Sequence, residues 1–108
     1  MMNLDLQRGS NKGYDAVDGK TGLKFQIKAR RLTKYNTSRQ LGVIRNLDQN
    51  PFDYLVAVIF NERFDPTEIW QIPREIIGLY SRFSKLQNGH ILIMTGGILR
   101  DERAKRIL

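Results

Sequence analysis

Two short runs near the start of the chain alternate between apolar and polar residues. Positions 14 to 18 and 23 to 29 both show the period of a half-buried strand, and Gly19-Lys20-Thr21-Gly22 between them is turn chemistry. If the turn closes symmetrically, Asp18 faces Leu23 and Asp15 faces Gln26. Opposed residues share a sheet face, as do residues two apart on one strand. Asp15, Gln26 and Lys28 are therefore expected to project together, with Tyr14, Ala16, Phe25 and Ile27 on the opposite, core-facing side.

The remaining pattern completes the element order. Leu4 and Leu6 predict a first short strand, and positions 9 to 13 a loop. Ser38 suits the N-cap of a helix to about 47, with Leu41, Ile44 and Leu47 as its buried stripe and Asn50-Pro51 as its end. Positions 53 to 60 are nearly all apolar, as a strand buried on both faces should be, and 68 to 72 alternate as its partner. Pro73 then suits the first position of a helix with Ile76, Ile77, Tyr80 and Phe83 on its apolar side. Gln87-Asn88-Gly89 is a turn, 90 to 94 a last strand, Thr95-Gly96-Gly97 a break, and 98 to 108 a final helix. This order predicts one α/β domain over residues 1 to 108, a mixed central β-sheet flanked by helices.

Composition narrows the function classes. The chain is 41% hydrophobic and 27% charged, ordinary for a globular domain. Without cysteine there is no disulfide framework and no thiolate metal site, which suits a cytoplasmic protein. No apolar run is long enough for a membrane span, and no signal-peptide core is visible at the N-terminus.

Charge changes the picture most. The net charge is +7, and from 19 to 47 there are eight basic residues and no acid: Lys20, Lys24, Lys28, Arg30, Arg31, Lys34, Arg39 and Arg45. From 53 to 75 five acids face only Arg63 and Arg74. A basic stretch confined to one segment is the footprint of a polyanion partner. Lys20, Lys24, Arg30, Arg31, Lys34, Arg39 and Arg45 are the candidate phosphate contacts, and Tyr35 could stack on a base. The alternative is a solvated basic surface. An anionic membrane is a poorer partner, because the segment lacks a large apolar face.

The spacing resembles the restriction-endonuclease-like PD-(D/E)xK superfamily. Gly13-Tyr14-Asp15 matches its first motif element, and Gln26-Ile27-Lys28 resembles the Q-x-K form of the Mrr-like branch. The wider run Asn11-Lys12-Gly13-Tyr14-Asp15, with Phe52-Asp53-Tyr54-Leu55 downstream, is similar to an uncharacterised bacterial and archaeal family placed in that superfamily. The resemblance covers about the first two thirds of the chain, but the family's leading helix is missing and Gln26 stands where an acid is usual.

It implies a Mg²⁺-dependent DNA endonuclease, with Mn²⁺ as an alternative ion. Asp15 would supply a carboxylate ligand, Gln26 an amide oxygen and Ile27 its backbone carbonyl, while Lys28 would orient or deprotonate the attacking water. Asp15, Gln26 and Lys28 are thus the catalytic candidates. The alternative for these three is a polar cross-strand set in which Asp15 pairs with Lys28. Other readings of the whole chain are an inactive nucleic-acid-binding module on the same fold, or a structural or regulatory partner-binding protein.

The remaining polar candidates are weaker. His90 has no second histidine or cysteine for zinc and is expected at a strand edge. Trp70 is expected in the core, Asp53 in a cap or turn, and Ser10 has no histidine partner for nucleophilic chemistry. A homodimer is expected, because the missing helix should leave Leu4, Leu6, Tyr14, Phe25 and Ile27 under-covered and because two sites suit a two-fold duplex. The segment from 98 to 108 is the competing cover for that surface.

Overall fold

Strand β4 (Tyr54–Phe60) is nearly all apolar because it lies at the centre of the sheet, with Leu55, Val56, Ala57 and Ile59 buried. The computed structural model describes the backbone of Leu4–Leu6 and residues 14–108. The main sheet contains β1 (Leu4–Leu6), β2 (Ala16–Asp18), β3 (Lys24–Arg31), β4, β5 (Pro66–Pro73) and β8 (Lys105–Arg106), side by side in that order. β3 and β4 run parallel and the other neighbours antiparallel, so the sheet is mixed. A separate hairpin joins β6 (Arg82–Ser84) to β7 (Gly89–Ile91). The helices are short: α1 (Arg74–Tyr80) and α2 (Gly97–Arg100).

The two sheet faces are unequal. Leu55, Ala57, Ile59, Trp70 and Ile72 face the main core, which also takes Leu41, Ile44, Phe52, Ile76, Ile77, Leu92 and Ile98. Each fully buried Leu or Ile there contributes about 1.5–3 kcal/mol relative to an exposed one. The other face holds a smaller cluster of Ala16, Phe25 and Val56, rimmed by half-buried Leu23, Ile27, Tyr54, Val58 and Ile69. Both helices send residues to the main core, so helices flank one face rather than two.

The expected helix over 38 to 47 is replaced by extended chain. Leu41 N–H donates to Leu92 O, while Ile44 and His90 exchange both backbone bonds, so this connection is stitched to the segment around β7. Leu41, Ile44 and Leu47 are buried as expected, but a three-residue spacing of apolar positions does not by itself specify a helix. Gly42 and the β-branched Val43 and Ile44 weaken helix propensity here. The Ser38 hydroxyl accepts from Gln40 N–H in a local turn instead of capping a helix. Only Leu47–Gln49 coils, as a 3-10 turn between Asn46 and Asn50, both left-handed.

Three smaller expectations also change. Pro73 closes β5 and takes the N-cap position of α1, with extended ψ of 138°, rather than the first helical position. Phe83 belongs to β6 and not to the helix. The segment 98 to 108 is helical only to Arg100; it then turns at Asp101, and Lys105 and Arg106 pair with Gln71 and Trp70. The expected loop over 9 to 13, with Ser10, and the side chains of Leu4 and Leu6 lie outside the described residues. Trp70 is in the core, as expected.

Candidate nucleic-acid interface

The register of the first hairpin is the expected one, with Ala16 opposite Phe25 and Val17 opposite Lys24. It breaks at Asp15. Asp15 N–H donates to Phe25 O at 2.8 Å although Phe25 is already paired with Ala16, so two residues oppose one and the strand bulges. The bulge carries Tyr14 to the main-core face, away from Ala16, Phe25 and Ile27, with which it was expected to pack. It also aims the Asp15 carboxylate at the β3 backbone, where Oδ2 accepts from Ile27 N–H at 2.8 Å. Asp15 thus stands in for the next carbonyl of the ladder and meets Ile27, one residue beyond Gln26.

Gln26 and Lys28 do share a face. Their register partners are Leu55 and Ala57, so that face is the main-core side at its rim. Arg30 lies on it too, donating from Nε to Ser38 O and from Nη2 to Asn36 Oδ1. The connection after β3 roofs this polar stripe: a Cβ on Gly42 would sit 3.7 Å from Lys28 Nζ. The ion pairs among the described residues are Arg39–Glu68 and Arg103–Asp101, so the Asp15–Lys28 pair of the alternative reading is not formed.

The Asp15 carboxylate is engaged by the Ile27 N–H and makes no ion pair with Lys28 among the described residues, so the expected convergence of Asp15 with Gln26 and Lys28 is not formed. No three His, Cys, Asp or Glu side chains among the described residues are grouped to hold an ion, and Asp15 is the one carboxylate of the motif. Mg²⁺ commonly takes one or two carboxylates and completes its shell with water and substrate phosphate.

The basic run is laid along β3. Lys20 and Lys24 lie at its start and Lys34 just past its end; Lys24 to Arg31 alone spans about 23 Å at the rise of an extended strand. Lys20 and Lys24 are exposed, with Lys24 Nζ 5.1 Å from the centre of the Tyr14 ring. Arg31 donates from Nε and Nη2 to Glu62 O and stacks over Phe64 at 4.3 Å. Lys34 lies 5.0 Å over Tyr35, whose ring is 87% exposed, and Arg45 is exposed. Bonds from Arg30 and Arg31 to neutral oxygens leave their full charge for a polyanion.

Arg39 is different. Its Nη1 and Nη2 fork onto the two oxygens of Glu68, both at 2.8 Å, and Nε donates to Met94 O. That hydrogen bonding, aided by Trp70 Nε1–H, holds the Glu68 carboxyl at about 2, and the same pair raises the Arg39 guanidinium. Arg39 clamps the connection to β5 and has little charge left for phosphate. Asp53, expected in a cap or turn, instead ties the start of β4 to β3, its N–H donating to Lys24 O and its Oδ2 accepting from Lys24 N–H.

A second feature was not visible in the sequence. A cleft of about 440 Å³ opens between the turn at 46–49 and the β6–β7 hairpin, lined by Asn46, Asp48, Gln49, Phe83, Asn88 and His90. His90 lies in β7, half-buried, with Nδ1 3.0 Å from Ser81 Oγ and its ring edge-on to Phe83. The two turns are some forty residues apart in the chain and are brought together by the Ile44–His90 bridge and the packing of Gly89 on Val43. No protein-family model and no curated protein matches this chain.

Proposed function

We propose that the chain binds nucleic acid through the basic surface along β3, on a restriction-endonuclease-like scaffold. The observation that carries this reading is the placement of Lys20, Lys24, Arg30, Arg31 and Lys34 along one strand and its two ends, with no acid between 19 and 47. The array matches a sugar-phosphate backbone in sign and overall reach, with Arg30 and Arg31 on opposite faces of the strand, and contacts of this kind position a duplex without reading its sequence. The scaffold assignment is supported by two antiparallel pairs leading into β3 and a parallel return at β4.

The test is fluorescence anisotropy with a labelled duplex at low salt. Lys24→Ala and Lys34→Ala each weaken binding severalfold, while Arg39→Met leaves it within twofold because its charge is already matched by Glu68. Equal binding by all three variants and the wild type would refute the interface.

Phosphodiester hydrolysis is the second reading, supported by the resemblance of Asp15, Gln26 and Lys28 to the nuclease motif and by the placement of Gln26 and Lys28 on one face. A divalent cation there would stabilise charge on the phosphate oxygens and acidify a water. Asp15 would hold it on one side, and Lys28 would approach from the polar stripe. Plasmid nicking with Mg²⁺ or Mn²⁺ that persists in both Asp15→Ala and Lys28→Ala would rule this reading out.

A further inference from the structure

We propose that the cleft between the 46–49 turn and the β6–β7 hairpin holds a single unstacked nucleobase. The inference rests on the nucleic-acid reading above but concerns a different part of the molecule. The cleft, at about 440 Å³, lies within the roughly 300–1,000 Å³ of small-molecule sites.

Its chemistry is that of a base site. Phe83 is 55% exposed in a strand, and its ring meets His90 edge-on with centroids 5.5 Å apart, which leaves an aromatic surface for a flat ligand. Ser81 Oγ at His90 Nδ1 fixes the imidazole, leaving Nε2 as its other polar atom. Around this pair stand three amides, Asn46, Gln49 and Asn88, and the carboxylate of Asp48. Aromatic faces for stacking and amides for base edges are how proteins read bases outside a helix.

A structural explanation accounts for part of the set. Asn46 and Asn88 have φ of 56° and 52°, a region that asparagine tolerates better than most residues. Backbone need explains neither Gln49 nor Asp48, nor why both turns present their polar groups to one aromatic pair. Asn46, Gln49 and Asn88 all line the cleft, unlike Asn36 and Asn61, whose side chains bond Arg30 and Asp65. Exposed Arg45, Arg82 and Lys85 adjoin the two turns in sequence and suit the flanking phosphates. Asp48, an acceptor only, favours a base with an exocyclic amino group (cytosine, adenine or guanine) over thymine or uracil.

The test uses the full chain and three labelled duplexes: fully paired, with one bulged cytosine, and with an abasic residue in the bulge. The variants are Phe83→Ala, at an exposed position, and Asn88→Gly, which keeps the left-handed backbone and removes only the amide. The wild type is expected to prefer the bulged cytosine over both other duplexes roughly tenfold, the scale of one base–aromatic stack. Both variants should erase that preference while keeping their affinity for the paired duplex.

Equal binding of all three duplexes by the wild type, or a preference that survives both variants, overturns the proposal and leaves the β3 interface standing. If no duplex binds, the β3 reading fails, and cytidine monophosphate is titrated while the backbone amides of Asn88 and His90 are followed by NMR. Shifts confined to the cleft would then support a base site that takes free nucleotides. Their absence would overturn the site as well.

Discussion

Glu68→Gln tests how the connection after β3 is held to the sheet. The wild-type carboxylate accepts two bonds from Arg39 and one from Trp70 Nε1. In the variant one oxygen becomes an NH₂ group that must face an Arg39 N–H, donor against donor, and the ionic attraction is lost. Glu68 is held at about 2, against an ordinary value near ~4.3, a difference of roughly 3 kcal/mol at ~1.36 kcal/mol per unit. The side chains of the pair are 19% and 18% exposed, so solvent screening reduces the expected loss to about 2 kcal/mol. Because the folded-state value is depressed, the contribution is present above ~4.3 and lost as pH falls towards 2. Urea denaturation at pH 7 should therefore show the variant about 2 kcal/mol less stable, with unchanged m-value. The gap should hold from pH 8 to 5 and close below 4. Adding Arg39→Met should cost less than the sum of the single changes. A gap under about 0.5 kcal/mol at pH 7, or one that stays constant down to pH 2, would refute the reasoning.

Further outcomes follow from single contacts. Gly89→Ala should destabilise by about 2 kcal/mol by overpacking, read by thermal melting, because its Cβ would lie 2.6 Å from Val43 Cγ2 and 2.8 Å from Ile44 O. Asp15→Ala should cost about 1–2 kcal/mol by stranding Ile27 N–H, and Asp15→Asn, which keeps an acceptor, much less; equal losses would count against the bulge contact. If the thinly covered sheet face pairs two copies, as expected for a duplex binder, light scattering should give twice the chain mass of 12.6 kDa, and a strict monomer across micromolar concentrations would exclude it.

The strands were more legible in the sequence than the helices, for a physical reason. The β2–β3 register, β4 and β5 follow from alternation or from an unbroken apolar run, both of which depend on local neighbours. The segment 38–47 satisfies its backbone against residues 90–94, a distant pairing that spacing alone does not encode. The bulge at Asp15 is likewise invisible, since one extra residue leaves the alternation on either side intact. The grouping of Gln26 with Lys28 on one face was legible; that this face is the roofed rim of the core was not. Arg39 read as a phosphate contact because Glu68, its partner, stands twenty-nine residues away. The cleft at His90 depends on the same long-range stitching.

Salt dependence of duplex binding tests the central claim most directly. Among the described residues, Lys20, Lys24, Arg30, Arg31, Lys34 and Arg45 form no ion pair with an acid, while Arg39 does. With four to six of them on phosphates, the logarithm of the binding constant should fall against the logarithm of salt concentration with a slope of roughly −3.6 to −5.4. Arg39→Met should leave that slope unchanged, and Lys24→Ala should make it shallower by about 0.9. A wild-type slope shallower than about −1, or no binding at ~50 mM salt, would contradict the account.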